Sequence, residues 1–193
     1  MIAVSLKKLP HAEQSAHAHS MLAECLESFG VSYVRRVTPM TYGKLGKPAL
    51  AERPDIHFNL SHAEGVTACI VSDSECGIDC ECVRPCRMRV AKRAFSPQEN
   101  ARLESAEGEE RDMLFFRIWT LKEAYVKALG TGISYPMNSV TIMPEGEGIF
   151  SDAEGWHFAQ YIINGRAIVS VCESKPIPQT VTRIDTREKE ILL

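Results

Sequence analysis

The sequence predicts an α+β protein built from two halves of similar plan. In the first half a short strand precedes a helix, and further strands follow; in the second half helices precede a run of strands that ends in a hairpin. This order suggests an N-terminal lobe over 1–74 and a C-terminal lobe over 75–193. Each lobe is expected to be a small, mainly antiparallel sheet packed against one long helix. The lobes are expected to be pseudo-symmetric, although no exact sequence repeat is found.

Helical spacing of apolar residues predicts two long helices, at about 12–29 and 113–129, and each is followed directly by a glycine. Between them, the basic segment 86–95 is predicted to be helical. Ser96-Pro97-Gln98-Glu99 has the N-cap, the first-turn proline and the capping-box acid of another helix start.

Runs of β-branched and aromatic residues predict the strands. Asn164-Gly165 between two apolar runs is a strong hairpin signal. Residues 38–55 are broken by Gly and Pro and are predicted to form a loop, and the last dozen residues are predicted to be a loosely attached tail. The predicted strands are 2–6, 31–37, 56–60, 66–71, 77–83, 139–143, 156–163 and 166–172.

The bulk composition indicates an ordinary soluble protein. The chain has 193 residues and a net charge of −3, which is too small to indicate binding to nucleic acid or to a membrane. No apolar run reaches the length of a transmembrane helix, and the N-terminus lacks a signal-peptide core. We therefore expect a cytoplasmic protein whose seven cysteines are reduced thiols.

The stretch CGIDCECVRPC at 76–86 can be interpreted as a thiolate metal site or as a carboxylate metal site. In a strand, Ile78, Cys80 and Cys82 would share one face, and their apolar side chains would suit burial in the core. Asp79 and Glu81 would share the other face, about 6–7 Å apart. Because C-x₃-C-x-C-x₃-C differs from the paired knuckles of zinc sites, the buried-cysteine interpretation is favoured. The carboxylates alone also fit the solvent face of an edge strand.

The helix at 113–129 adds a third carboxylate. Trp119, Glu123 and Lys127 fall on one stripe at i, i+4 and i+8. Glu123 and Lys127 could be an ordinary surface pair. The tryptophan on the same stripe indicates a partly covered face instead, where a carboxylate could complete a Mg²⁺ site and a lysine could hold phosphate.

Five short motifs follow one another along the chain. They are Gly46-Lys47-Pro48, Phe58-Asn59-Leu60-Ser61-His62-Ala63-Glu64-Gly65, Gly77-Ile78-Asp79-Cys80-Glu81, Phe95-Ser96-Pro97-Gln98-Glu99 and Trp119-Thr120-Leu121-Lys122-Glu123-Ala124-Tyr125-Val126-Lys127-Ala128. One motif alone is weak, but five in the right order are specific. Together they resemble the motifs of the 4′-phosphopantetheinyl transferases, specifically the two-lobed class that modifies carrier proteins.

The resemblance implies that the 4′-phosphopantetheine arm of coenzyme A is transferred to a serine of an acyl or peptidyl carrier protein, with release of 3′,5′-ADP. It implies a Mg²⁺ site at Asp79, Glu81 and Glu123, where Mn²⁺ could also bind. Coenzyme A is expected in the cleft between the lobes.

The resemblance also implies roles for the remaining polar residues. Lys127 would contact phosphate and stabilise charge on the leaving group, and Glu123 is the first candidate for the general base, with a metal-bound water or Glu99 as alternatives. Glu99 could equally be only a capping-box acid. The residues expected to bind coenzyme A are Lys47, Ser61, His62, Lys122 and Lys127.

The first lobe is short for this class, and histidines stand where relatives carry basic residues for the 3′-phosphate. His11, His17 and His19 could substitute weakly. Whether Lys44 or Lys47 is the equivalent lysine stays open.

The basic run after the metal strand is predicted to steer an acidic carrier protein, against the simpler interpretation of a solvated helix face. It consists of Arg84, Arg87, Arg89, Lys92 and Arg93. With both lobes in one chain, a monomer is expected. Two rival hypotheses remain at this stage: a non-catalytic coenzyme A or nucleotide-binding module derived from the same family, and a thiolate metal protein.

Overall fold

The computed structural model describes residues 1–177 and the backbone of 183–185. Two short 3₁₀ helices, Gly132–Ser134 and Met137–Ser139, follow the longest helix. In chain order the other elements are β1 (Ile2–Ser5), α1 (His11–Glu27), β2 (Met40–Tyr42), β3 (Pro48–Leu50), β4 (His57–Ala63), β5 (Val66–Ser72), β6 (Cys76–Cys82), α2 (Met88–Ala94), α3 (Pro97–Glu104), α4 (Gly108–Leu129), β7 (Ile142–Glu145), β8 (Gly148–Ser151), β9 (His157–Ile163), β10 (Ala167–Glu173) and β11 (Arg183–Asp185).

The two larger sheets share one topology. In the first, β1 pairs antiparallel with β5, and β5 pairs with β4. In the second, β6 pairs antiparallel with β10, and β10 pairs with β9. Each therefore consists of a strand, a long helix and a hairpin whose second strand lies in the centre of the sheet. Helix α1 packs on the first sheet and α4 on the second. This arrangement confirms the predicted α+β class with two sheet lobes.

One apolar core joins the two sheets. Val4 and Ile70 of the first sheet pack in the same cluster as Ile78, Val169 and Val171 of the second. Burial of apolar surface contributes about 25 cal/mol per Å², so this shared core is a principal source of stability. Because the sheets share it, the positions of β4 and β6 relative to each other are fixed by packing.

The first sheet also gains a parallel edge strand, because β11 pairs with β1. This strand lies within the predicted tail; the rest of that tail lies outside the described residues. Within the described part of the chain, no helix has both the length and the apolar character needed to cross a bilayer.

The prediction of a strand at 31–37 is wrong. The chain forms a turn there, in which Val37 N and Thr38 N both donate to the carbonyl of Val34, and Arg36 takes a φ of 66°. The predicted loop at 38–55 contains the small β2–β3 hairpin. The Asn164-Gly165 hairpin turn and the capping box at Ser96 are confirmed.

Candidate functional site

Strand β6 directs its thiols into the core. Cys76, Ile78 and Cys80 pack in the cluster shared by the two sheets, and Cys80 Sγ lies 3.7 Å from Val66 O. Burial raises the pKa of Cys76 to about 12 and also raises the pKa of Cys80, so both thiols stay protonated near neutral pH. The interpretation as buried structural cysteines is therefore favoured over the thiolate metal hypothesis.

The other face of β6 lies against α4, and Gly77 makes this contact close. A β-carbon added to Gly77 would overlap the carbonyl oxygen of Ala124 and the amide nitrogen of Ala128. Only glycine allows a helix backbone to approach a strand so closely. The glycine of the GIDCE motif thus has a packing role, which brings the stripe of Glu123 and Lys127 over the carboxylates of β6.

Asp79 forms an ion pair with α4. Lys127 Nζ lies 2.6 Å from Asp79 Oδ1, and the two side chains are only 27% and 9% exposed. Ser61 Oγ of β4 donates to the same carboxylate oxygen at 2.8 Å and lies 3.1 Å from Lys127 Nζ. Burial disfavours charge on Lys127, but the Asp79 carboxylate beside it gives a net rise of the lysine pKa. Residues predicted from three separate motifs therefore meet at one point.

Glu81 is held by an arginine in this conformation. Arg84 Nη1 donates to Glu81 Oε2 at 2.7 Å and to Cys82 O at 3.1 Å. The guanidinium carbon lies 4.6 Å from the centre of the Phe116 ring, within cation–π distance. Arg84 therefore neutralises a predicted metal ligand.

Glu123 has a different environment from the other two carboxylates. It is half-buried, and among the described residues no hydrogen bond or ion pair involves its carboxylate. Burial, and then the charge of Asp79, raise the pKa of Glu123 to about 7, with Glu81 adding to the rise and Lys127 opposing it. A third negative charge at this place would be stabilised by a cation.

These carboxylates fit a divalent cation in their chemistry. Oxygen ligands from one or two carboxylates, completed by water and substrate phosphate, are what Mg²⁺ usually takes from a protein. The unpaired Glu123 carboxylate beside Asp79 and Glu81 is consistent with such a site. The ligands are not gathered in advance, because the part of the chain that the structure describes contains no converging group of three His, Cys, Asp or Glu side chains. Arg84 would have to release Glu81, and Asp79 would have to share its charge with Lys127.

Strand β4 is joined to β6 by side chains. Asn59 Oδ1 accepts a hydrogen bond from Ile78 N at 2.9 Å, and Ser61 Oγ accepts one from Cys80 N at 3.3 Å. These bonds satisfy amides at the edge of β6 that a neighbouring strand would otherwise pair. No role was predicted for Asn59 from the sequence. A polar residue between apolar strand residues could have indicated a side chain that needs a hydrogen-bond partner. The structure thus gives Ser61 a structural role beside its predicted contact with coenzyme A.

His62 is exposed at the rim of this region. Its Nδ1 lies 3.2 Å from Gln14 Oε1 of α1. Burial of the ring and the nearby charges of His11 and Lys127 lower the pKa of His62, so it is mostly neutral at pH 7. Its predicted contact with the nucleotide stays a prediction.

Lys47 reaches the end of helix α4. Its ammonium donates to Ala128 O at 2.6 Å and to Cys76 O at 3.0 Å. A cation at the last carbonyls of a helix is favourable because these groups carry the negative end of the helix dipole. Lys47 therefore ties the β2–β3 hairpin to the second sheet, and its predicted contact with coenzyme A stays untested.

Glu99 and Lys122 form an ion pair inside the second lobe. Lys122 Nζ lies 2.7 Å from Glu99 Oε2, and the two side chains are 1% and 0% exposed. Glu99 also accepts from Ser96 N and Ile142 N, and Lys122 donates to Val140 O. Full burial keeps both charged groups away from solvent in this conformation. The pair connects α3, α4 and the segment before β7. This is a structural role, which the sequence indicated for Glu99 but not for Lys122.

The predicted docking residues lie on the surface around α2. Arg84, Arg87, Arg89, Lys92 and Arg93 are all exposed. Arg84 and Arg87 also line a small groove of about 130 Å³ with Phe116 and Trp119 of α4, directly beside Glu81. The groove is basic at its rim and apolar at its base.

Comparisons with known proteins place the chain in one family. The profile of the 4′-phosphopantetheinyl transferase superfamily matches residues 75–172. A 4′-phosphopantetheinyl transferase of Bacillus subtilis is 30% identical over 162 residues, which cover 77% of this chain and 70% of that protein. The transferase HetI of a Nostoc species is 34% identical over 137 residues, or 67% of this chain and 58% of that protein. The chain therefore belongs to the 4′-phosphopantetheinyl transferase superfamily.

A solved structure of lower similarity was also found. The holo-(acyl-carrier-protein) synthase of Bacillus anthracis, in complex with coenzyme A (3′,5′-ADP), is 20% identical with a TM-score of 0.43, and the match covers 52% of this chain and 94% of that one. For the first three curated relatives, the match spans 58–70% of their own length.

Proposed function

We propose that this protein is a Mg²⁺-dependent transferase that moves the 4′-phosphopantetheine arm of coenzyme A to a serine hydroxyl of an apo carrier protein. The observation that carries the proposal is the meeting of Asp79, Glu123 and Lys127 between β6 and α4. A lysine among carboxylates of this kind suits phosphoryl transfer, in which the protein mainly positions the substrate and stabilises charge. Membership of the superfamily supports the same reaction.

The proposed step forms one bond and breaks one. The serine oxygen bonds to the phosphorus that carries the pantetheine arm, and the bond from that phosphorus to the bridging pyrophosphate oxygen breaks, which releases 3′,5′-ADP. The serine proton passes to Glu123, the first candidate for the general base, whose carboxylate has no hydrogen-bond or ion-pair partner among the described residues. The Lys127 ammonium stabilises charge on the departing phosphate oxygens.

The proposed metal ligands are Asp79, Glu81 and Glu123, with Mg²⁺ preferred and Mn²⁺ also suitable. When bound, the ion supplies charge neutralisation on the pyrophosphate oxygens. Glu99 and Lys122, which are fully buried, hold α4 in place and act as positioning residues.

The proposed carrier surface is the groove between α2 and α4 with its basic rim. The groove lies beside Glu81, so a carrier bound there would present its serine close to the proposed metal site. Substituting glutamate for Arg87 and Arg89 should weaken carrier binding while coenzyme A affinity stays unchanged, since these exposed arginines act through charge. Arg102→Glu on α3 is the matched control. If coenzyme A affinity fell together with carrier binding, the basic surface would belong to the nucleotide instead.

Intact-mass spectrometry tests the reaction. An apo carrier protein is incubated with this protein, coenzyme A and Mg²⁺, and the carrier should gain the mass of one phosphopantetheine. Glu123→Gln should abolish the gain, and Glu109→Gln, which changes an exposed glutamate at the start of the same helix, should leave it intact. No gain on several unrelated carriers, despite measurable coenzyme A binding, would favour the non-catalytic binding module.

A further inference from the structure

Strand β9 leaves one edge of the second sheet open. It pairs with β10 on one side, and among the described residues no strand pairs with its other side. The amide and carbonyl groups along that side are therefore available to a further strand. The first sheet has no comparable edge, because β4 faces β6 through the bonds of Asn59 and Ser61, and its outermost strand, β11, has only three residues.

Strand β9 lacks the features that usually protect an open edge. Natural sheets block such edges with lysine, proline, a bulge or a very short strand. The seven residues of His157–Ile163 include no proline and no Lys, Arg, Asp or Glu, and all of them pair in continuous register with β10. Ile162 is 41% exposed, whereas Ile168, its partner in β10, is fully buried. This edge is therefore suited to pairing with another strand.

The sequence of β9 is complementary to a second copy of itself. If two β9 strands pair antiparallel about a two-fold axis at Gln160, residues equally far from Gln160 along the chain oppose each other. Phe158 then opposes Ile162 of the second copy, and Ala159 opposes Tyr161. An aromatic residue opposite a β-branched one is a stabilising cross-strand pair, and the symmetry forms the pair of Phe158 with Ile162 twice.

The same register brings opposite charges together beyond both ends of the strand. Glu154 and Arg166 lie equally far from Gln160, so Glu154 of each copy would lie near Arg166 of the other. Both side chains are exposed, and in the part of the chain that the structure describes neither forms an ion pair. Arg117 donates to Gln160 and so adds a like charge from each copy near the axis. Two attractive pairs then stand against one repulsive pair.

We propose that this protein forms a two-fold dimer in which the β9 strands of two copies pair antiparallel at Gln160 and join the two second-lobe sheets into one. The monomer expected from the sequence rested on the presence of both lobes in one chain, which covers the edges of β4 and β6 but leaves β9 open. Strand β6 lies at the other end of its sheet from β9, so the proposed metal site stays away from this interface.

Sedimentation equilibrium of the full chain without ligands, at about 1–300 μM, should show a monomer–dimer equilibrium that depends on concentration. The dimer should be weak, because one pair of strands buries less surface than a standard interface. Ile162→Lys should weaken it by about tenfold or more, since it places a lysine at the open edge. The melting temperature of this variant should stay near that of the wild type, because Ile162 is already partly exposed.

Charge reversal tests the register. Glu154→Arg and Arg166→Glu should each weaken the dimer about three- to tenfold, because like charges then face each other, and the double variant should return to within about threefold of the wild type. Glu104→Arg makes the same charge change on the exposed surface of α3 and should leave the dimer unchanged.

A monomer at every concentration overturns the inference, and so does a dimer that Ile162→Lys leaves unchanged. The pairing at Gln160 is wrong if the double charge variant associates no better than the single variants. None of these measurements depends on the proposed transfer reaction, which the mass assay tests separately.

Discussion

Lys127 Nζ lies 2.6 Å from Asp79 Oδ1, and this ammonium also lies 3.1 Å from Ser61 Oγ of the first sheet. One side chain of α4 therefore contacts strands of both lobes at the place where the reaction is proposed. Any change at this contact should alter both stability and activity, and only paired substitutions can separate the two.

Lys127→Met should lower the free energy of unfolding by about 3 kcal/mol, because it leaves the buried Asp79 carboxylate without its counter-ion. The double variant Lys127→Met with Asp79→Asn should recover a large part of that loss, since no isolated charge remains. Urea unfolding at pH 7 measures both values. The prediction fails if the single and double variants are equally unstable, and neither variant should transfer phosphopantetheine.

Gly77→Ala should destabilise the protein by about 3 kcal/mol or more, because the added methyl group would overlap the backbone of α4 at Ala124 and Ala128. Gly148→Ala in β8 is the control, since its nearest contact would be an ordinary 3.6 Å to Glu145 O. Thermal unfolding of the two variants gives the comparison. Equal melting temperatures would show that α4 can move away from β6 at little cost.

The sequence predicted the architecture well where local chemistry determines it. The long helices, the Asn164-Gly165 hairpin and the two faces of β6 follow from spacing and turn chemistry, and the structure confirms them. Contacts between distant segments were not predictable in this way. The bond of Asn59 to Ile78 and the reach of Lys47 to Ala128 depend on how the lobes pack, which no local pattern encodes.

The wrong strand prediction has the same origin. The strand predicted at 31–37 had a suitable composition, but the turn there and the positive φ of Arg36 override this propensity. Lys122 was predicted to bind coenzyme A from its place in a motif; the structure shows it buried against Glu99, and its contact with coenzyme A stays a prediction.

Glu123→Gln should change how stability depends on pH in metal-free protein. The pKa of Glu123 rises from 4.5 to about 7 on folding, so the folded state favours the protonated form. Its stabilising contribution is complete below about pH 4.5 and is lost as the pH rises through about 7. Above pH 7 the Gln variant should therefore be more stable than wild type by about 1–2 kcal/mol, a reduced value because the side chain is partly exposed.

Urea midpoints from pH 4.5 to 8 in the presence of a chelator test this prediction. Glu109→Gln, with an exposed carboxylate, should follow the wild-type curve throughout. A constant offset between wild type and Glu123→Gln over the whole range would contradict a titration of Glu123 in this window.

Lys122→Met should cost about 3–5 kcal/mol, because Glu99 would then be a buried charge that keeps only backbone donors. Glu99→Gln combined with Lys122→Met should restore part of the stability, since glutamine can still accept the capping bond. If both residues act only by positioning α4, coenzyme A affinity of the folded double variant should change less than about threefold. A tenfold loss of affinity in a stable variant would show direct contact with the nucleotide.

Arg84→Gln should tighten metal binding about 1.4- to fivefold, because the Arg84 guanidinium competes with a cation for Glu81. The size follows from the free energy of a partly exposed ion pair, about 0.2–1 kcal/mol. Mn²⁺ titration followed by electron paramagnetic resonance, with saturating coenzyme A, measures the affinity without turnover. Arg87→Gln is the control, because Arg87 lines the same groove and forms no ion pair with Glu81 among the described residues. If both substitutions tightened binding equally, general electrostatics would explain the change; if only Arg84→Gln did so, the ion pair holds Glu81 away from the metal until the site is loaded.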